Sequence, residues 1–359
     1  MAITKLVADS LGAGATPNQS AFKNIIINGD MSIAQRGTSS SITTSGYYTV
    51  DRFNMPINTM GTFTVSQSTD TPSGQGFSTS SKYDCTTADA SPSSGDFIRF
   101  EQYVEAQNLQ YLKFGTTNAQ SLTLSFWVKS TKTGTYIAEL RNFDGGRTIC
   151  NSYTINASNT WEKKTITVSG DTSGSFNNDN GLGLACIFWL GAGSDFTSGT
   201  LATDWEATTS ANRAVGQVNL ADSTSNEWYI TGVQLEAGTS ASDFEFLPID
   251  VNLARCQRYF EKMLPETMIM LRYSGSTSFG NAGNFKVTKR ATPSLSRENG
   301  TTTIGAYDGD GTAGLAVASA WSLNSINVIG FGLSATTPTS PDQFFMGIGS
   351  DHFLIDSEL

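Results

Sequence analysis

The sequence predicts a mainly β protein: an antiparallel jelly-roll β-sandwich over residues 22–248, a short linking helix over 249–264, and a smaller C-terminal β-domain over 265–359. Residues 1–21 precede these as an N-terminal arm. Three observations carry the prediction. Charged residues make up only 15% of the chain while glycine numbers 35, against roughly 25% charge in an average soluble domain, so the composition is one of strands and turns. Apolar residues alternate, most clearly where Leu122, Leu124, Phe126 and Val128 interleave with Thr123, Ser125, Trp127 and Lys129. Successive Cβ atoms on a strand point to opposite faces, so these four apolar side chains share one face. Turn signals such as Asp144-Gly145-Gly146 and Asn177-Asn178-Asp179-Asn180-Gly181 separate such runs. Many strands and few helices over about 225 residues suit two packed sheets, and 359 residues exceed the ~250–300 that one core usually supports.

Taken in order, the arm ends in Gly-Ala-Gly-Ala-Thr-Pro-Asn-Gln-Ser and needs partners to become ordered. Within 101–114, Tyr103, Val104, Leu109 and Leu112 mark either a short helix or an irregular crossover. Thr165 to Val168 form a strand, and 182–190 is apolar at both parities, as a central strand covered on both faces would be. Across Gly232 the parity of the large residues shifts between Trp228, Ile230, Val233 and Leu235, which predicts a bulge. After Pro248 the period changes. Asp250 is a candidate helix cap, and Ile249, Leu253, Cys256, Phe260 and Met263 form a stripe at helical spacing. Helices below ~12–15 residues are marginal alone, so the stripe must pack on the β-domain or on copies of itself. Beyond 265, strands are expected at 267–273, 285–287, 325–332 and 344–348.

Composition also excludes function classes. A net charge of -10 argues against a nucleic-acid partner, which would need clustered Lys and Arg to displace counterions. No segment approaches the ~20 apolar residues of a membrane span, and the start lacks the apolar core of a leader peptide, so membrane insertion is not expected. Cys85, Cys150, Cys186 and Cys256 are scattered, with no C-x-x-C pair, and are read as reduced thiols rather than zinc ligands or a disulfide framework. His352 is the single histidine, so a His-based catalytic or metal centre would rest on a near-terminal residue. From Asp308 in Asp308-Gly309-Asp310-Gly311, the fifth and twelfth positions of a calcium loop would be Thr312 and Ser319, which fail the ligand pattern. Neither Gly12-Ala13-Gly14 nor Gly191-Ala192-Gly193 sits between a strand and a helix as a phosphate loop does. No catalytic residue, metal or cofactor is expected. Trp127, on the polar face of its strand, is the candidate for stacking on a sugar ring; Trp161, Trp189, Trp205, Trp228 and Trp321 are better suited to cores or interfaces.

Two blocks of residues carry a resemblance. One is Asn24-Ile25-Ile26-Ile27-Asn28-Gly29-Asp30-Met31 with Gln35-Arg36-Gly37 and Asp51-Arg52-Phe53. The other is Gln234-Leu235-Glu236-Ala237-Gly238 with Phe244-Glu245, Leu253 and Cys256-Gln257-Arg258-Tyr259-Phe260. Weaker matches are Lys289-Arg290-Ala291-Thr292-Pro293-Ser294 and the ending Ile355-Asp356-Ser357-Glu358-Leu359. In these the chain resembles tail-fibre and receptor-binding proteins of tailed bacteriophages, whose jelly-roll bodies resemble carbohydrate-binding modules; it departs from them at Ser242, where they usually have Pro. The resemblance implies a non-enzymatic virion protein made in the bacterial cytoplasm. It would be a homotrimer with its seam at Ile249, Leu253, Cys256, Phe260 and Met263, the arm joining other tail or capsid proteins, and the body adhering to host-surface glycan. Two alternatives stay open: a capsid- or neck-attached decoration protein without a receptor, and a glycan hydrolase using paired carboxylates.

Overall fold

A computed structural model describes residues 22–263, 269–272, 278–298, 303–307, 313–321, 328–335, 344–345 and 352–359. The chain divides into two compact units, one ending at Ile249 and the other running from Asp250 to Glu358. The arm 1–21 and the Asp308-Gly309-Asp310-Gly311 segment lie outside the described residues.

The first unit is an antiparallel jelly-roll β-sandwich. Its early strands are β1 (Ser39–Ile42), β2 (Phe53–Asn54), β3 (Ile57–Asn58), β4 (Thr62–Ser68), β5 (Ser80–Thr87) and β6 (Phe97–Glu105). Then come β7 (Leu122–Ser130), β8 (Gly134–Asn142), β9 (Arg147–Ile155), β10 (Glu162–Val168) and β11 (Leu182–Ala192). A single helical turn α1 (Ser194–Thr197) precedes β12 (Glu206–Ala207) and β13 (Glu227–Ala237). Sheet A has the order β1-β4-β5-β13-β7-β10, and sheet B the order β12-β9-β8-β11-β6-β2, with β3 also on β6.

The period-two signal translates directly into the core. Leu122, Leu124, Phe126 and Val128 of β7 point inward and meet Phe188, Tyr153 and Trp228. Burying large apolar side chains at about 25 cal/mol per Å² supplies most of the stabilisation of such a sandwich. The expected double coverage of β11 holds: Leu184, Cys186, Phe188 and Leu190 join the main core, while Ala185, Ile187 and Trp189 face a second cluster with Ala202 and Ala214. β11 lies between β8 and β6, and segment 193–214 supplies the outer cover. The bulge at Gly232 is present, with the pairing of β13 on β7 slipping between Thr231 and Gln234 and Gly232 at φ +63°. In 101–114 the strand runs to Glu105, and a 3-10 helix, Ala106–Leu112, follows with Leu109 and Leu112 buried. All four cysteines are buried free thiols.

The second unit opens with α2 (Ile249–Gln257), followed by β14 (Phe260–Met263), β15 (Ile269–Arg272), β16 (Ser278–Asn284), β17 (Ser294–Arg297) and β18 (Thr303–Tyr307). Next are β19 (Ala313–Trp321), β20 (Val328–Ala335), β21 (Phe344–Phe345) and β22 (Phe353–Asp356). Strands β14-β22-β17 form a small sheet, and β15-β16-β20-β19-β18-β21 close into a barrel. Closure removes the open edges that four strands alone would leave.

Three expectations are corrected here. The helix ends at Gln257 rather than running to 264, because Phe260 to Met263 pair with Phe353 to Asp356 and take strand backbone. The five-residue stripe therefore forms no single helical face: Ile249 is exposed, Leu253 half-buried and Cys256 buried on α2, while Phe260 and Met263 are buried on a strand. Residues 285–287 are not a strand; β16 ends at Asn284 and Phe285 is buried in the bend that follows. Asp250 lies within the first helical turn instead of capping it, where its charge still suits the helix N-terminus.

Candidate functional site

The strongest candidate is a cleft of about 290 Å³ on the outer face of sheet A, near the lower bound of about 300 Å³ for small-molecule sites. Its lining falls into an aromatic set, Phe77, Trp127, Phe244 and Phe246, and a polar set, Gln75, Ser125, Lys163 and Asp243, with Gly232 between them. The elements explain the arrangement. Trp127 and Ser125 are two residues apart on β7 and so share its outward face, and Lys163 on β10 is the cross-strand partner of Trp127.

Phe77 belongs to the β4–β5 connection and lies over the β13 bulge. A Cβ at position 232 would stand 2.6 Å from the Phe77 ring, so the ring's seat requires glycine. Phe244 and Phe246 come from the segment leaving β13. The three phenyl rings pack mutually, with centroids 5.1 Å apart for Phe77–Phe244, 5.1 Å for Phe77–Phe246 and 4.8 Å for Phe244–Phe246, separations typical of favourable aromatic pairs. Phe246 nevertheless stays 50% exposed, an unusual state for such a ring.

The residues that carry the sequence resemblance hold this wall in place. Gln234 donates to the Glu236 carboxylate (2.9 Å), the Ser242 hydroxyl (3.0 Å) and the Asp243 carbonyl (3.3 Å), and accepts from the Glu245 N–H at 2.8 Å. Glu236 also accepts the Ser242 N–H at 2.9 Å, a bond that proline at 242 would lack. Glu245 in turn accepts from the Asn24 N–H at 2.9 Å, and Asn24 donates to the Val233 carbonyl and accepts from the Ile26 and Leu235 N–H groups. In the front block, Asn28 donates to the carbonyls of Ile33 and Asp51. Asn24, Asn28, Gln234 and Glu236 are buried, and the bonds of Asn24, Gln234 and Glu236 to Ser242, Asp243 and Glu245 orient the 242–246 segment.

The cleft's own polar groups are uncommitted. Among the described residues, the side chains of Gln75, Ser125, Lys163 and Asp243 and the indole N–H of Trp127 have no protein hydrogen-bond partner. Beside the cleft the same face continues as a paired network. Lys129 and the Trp161 indole (2.9 Å) both donate to Asp70, Lys129 lies 4.2 Å over the Tyr229 ring, and Lys82 donates to Glu227 at 2.7 Å. Burial works against the charge on Asp70, but the bonds from Lys129 and Trp161 outweigh it and hold that carboxyl below its ordinary range.

Of the other residues singled out from sequence, Trp189 and Trp228 are fully buried, and Trp161 and Trp205 are half-buried. The Trp321 side chain lies outside the described residues. His352 pairs with Glu298 at 2.9 Å. Among the described residues no group of three His, Cys, Asp or Glu is placed to hold a metal ion, and no helix is long and apolar enough to cross a membrane. Sequence reading singled out Trp127 and missed its companions. The Phe244/Phe246 alternation was visible in the resembling block, whereas nothing local marks Phe77 or Lys163.

No protein-family model and no curated protein matches the chain. Some solved structures are similar to it at low identity and low TM-score. A tailspike protein 4 enzymatically active domain from bacteriophage CBA120 is 15% identical over 60% of this chain and 21% of its own length, with a TM-score of 0.32; the chain thus spans about a fifth of it. A putative sugar binding protein from Bacteroides thetaiotaomicron is 11% identical over 60% of this chain and 99% of its own, TM-score 0.33. The C-terminal family 22 carbohydrate binding module of Clostridium thermocellum Xyn10B is 11% identical over 63% and 99%, TM-score 0.30.

Proposed function

We propose that this protein is a non-catalytic glycan-binding component of a tailed bacteriophage virion, a trimeric tail-fibre or receptor-binding protein that adheres to the host surface through the sheet A cleft. The observation that carries the reading is the pairing of an aromatic wall, with Phe246 exposed and Trp127 and Phe244 half-buried, with unspent hydrogen-bonding groups in one cleft. A sugar ring presents apolar CH faces and a rim of hydroxyls, so it asks for an aromatic wall together with free donors and acceptors. Trp127 and the three phenylalanines supply the first, and Gln75, Ser125, Lys163, Asp243 and the Trp127 indole N–H supply the second.

Support for a non-enzymatic role is that Asp243 is the single carboxylate lining the cleft, whereas hydrolysis by paired carboxylates needs two flanking the scissile bond. The phage assignment is supported by the two resembling blocks. The test is binding of the full chain to purified host-surface polysaccharide by calorimetry or surface retention. Trp127→Ala should weaken binding at least tenfold while its melting temperature stays within a few degrees of the parent. Equal binding by the variant would remove the cleft from the account. Release of new reducing ends from the polysaccharide would favour the hydrolase instead, and cryo-electron microscopy density confined to the capsid or neck would favour the decoration protein.

A further inference from the structure

Two opposite charges line the sheet A cleft, and neither is paired. Asp243 and Lys163 are both exposed, as are Gln75 and Phe246, so the mouth is open. Among the described residues neither charge has an ion-pair partner, the other included. Beside the cleft the same face pairs its charges: Lys129 with Asp70, and Lys82 with Glu227 (2.7 Å) and Asp84 (3.4 Å). Topology keeps the cleft's two charges apart. The Asp243 carbonyl is held by Gln234 of β13 at 3.3 Å, Lys163 belongs to β10, and β7 lies between those strands. Two inter-strand steps of about 4.8 Å put the anchor points roughly 10 Å apart.

The surroundings of the two charges differ. Asp243 leads into Phe244, and the ring planes of Phe77–Phe244, Phe77–Phe246 and Phe244–Phe246 are inclined by 68°, 43° and 71°. Rings at such angles make a corner rather than a flat platform, and a corner turns more than one π face toward a single point. An alkylammonium group is attracted both by π faces and by a carboxylate beside them. At the other end donors collect. Lys163 is the cross-strand partner of Trp127, whose indole N–H is free. Ser125, two residues along β7 and only 4% exposed, lines the cleft with no protein partner for its hydroxyl. An ammonium, an indole N–H and a hydroxyl on neighbouring positions suit the several acceptor oxygens of a phosphate.

We propose that the cleft selects a glycan carrying a zwitterionic group, its ammonium seated in the phenylalanine corner against Asp243 and its phosphate on Lys163, Ser125 and the Trp127 indole N–H. The inference rests on the cleft being the glycan site and adds what that glycan must carry. A ligand with both charges satisfies both ends at once. A purely anionic chain would set its charge against Asp243, and a neutral one would leave both protein charges without a partner, so each competitor is disfavoured. The ammonium has two chemical sources, an amino sugar of the chain or a choline-type substituent on it, which share the charge and differ in the bulk around nitrogen.

The test is ligand-observed NMR titration of the full chain, at mildly acidic pH where sugar amines are protonated, with glucosamine, glucose-6-phosphate, glucosamine-6-phosphate and phosphocholine. At least one of the two zwitterions should bind about tenfold or more tightly than glucosamine and than glucose-6-phosphate. Tighter glucosamine-6-phosphate identifies the amino sugar as the source, and tighter phosphocholine the substituent. Asp243→Asn should erase that zwitterion's advantage over glucose-6-phosphate, and Lys163→Met its advantage over glucosamine; both side chains are exposed, so the variants should melt near the parent. No advantage for either zwitterion, or an advantage that survives either substitution, would overturn the proposal. Polysaccharide binding that still depends on Trp127 would in that case keep the cleft as the glycan site, whereas binding indifferent to Trp127→Ala would remove the cleft and its selectivity together.

Discussion

Glu139 and Arg213 form a deeply buried ion pair of the first unit, with side chains 0% and 6% exposed. Trp189 and Thr148 complete the carboxylate's shell, so none of its lone pairs is left facing a low-dielectric interior. A pair of this kind contributes little net stability compared with apolar residues of the same size, yet losing one partner strands the other charge. Arg213→Ala should therefore destabilise the protein by about 3–5 kcal/mol, whereas the double variant Glu139→Leu with Arg213→Met should recover most of that loss. Urea unfolding midpoints of the three proteins check this, and equal losses in the single and double variants would mean the network is not the cause. Pairings like this were beyond sequence reading because 74 residues separate the partners. Trp127, by contrast, was legible, since strand parity alone sets it on the polar face of β7.

At the scale of elements, β10 is an edge strand that carries Lys163 into the cleft, and Glu162 fixes how it begins. The Glu162 carboxylate accepts from the N–H groups of Asn156 (2.8 Å) and Ala157 (2.9 Å), the Asn156 amide (2.8 Å) and Lys164 (2.6 Å), tying the β9–β10 turn to the strand. Burial raises its pKa, but the bonds from Lys164, Ala157 and Asn156 outweigh that and hold it at about 2, below the usual 4.5. A folded-state value below the unfolded one gives stability that is complete above the unfolded pKa and fades as pH falls toward the folded one. Melting temperature should thus drop between pH 5 and 2 more steeply in the parent than in Glu162→Gln, and parallel acid slopes would refute the assignment. The legible elements were β7 and β10, whose side chains alternate, β11, which is apolar at both parities, and the β13 bulge. Small-residue strands such as β16, with Ser278, Gly280, Ala282 and Gly283, show no period-two contrast, which hid the barrel. Phe260 and Met263 misled because they fit helical spacing, and the pairing with Phe353 to Asp356 that overrides it comes from nearly a hundred residues away.

At the scale of the whole molecule, a cleft near the lower size bound of small-molecule sites touches little ligand, and one such contact holds weakly. The proposed adhesion would then depend on several sites acting together, where the second and third contacts become intramolecular and raise retention by about 10²–10⁴ when the surface presents ligands within reach. That arithmetic favours the trimer implied by the sequence resemblance, although a continuous helical stripe is not its seam. The full chain should scatter light at three times its 38.3 kDa mass at micromolar concentration. Dissociation from densely glycan-coated surfaces should be at least a hundredfold slower than from sparse ones, with Trp127→Ala flattening the difference. A 38.3 kDa species that leaves dense and sparse surfaces at one rate would mean single-site binding. The avidity mechanism would then fall even if the cleft itself bound sugar, because an isolated site has no neighbour to recapture what it releases.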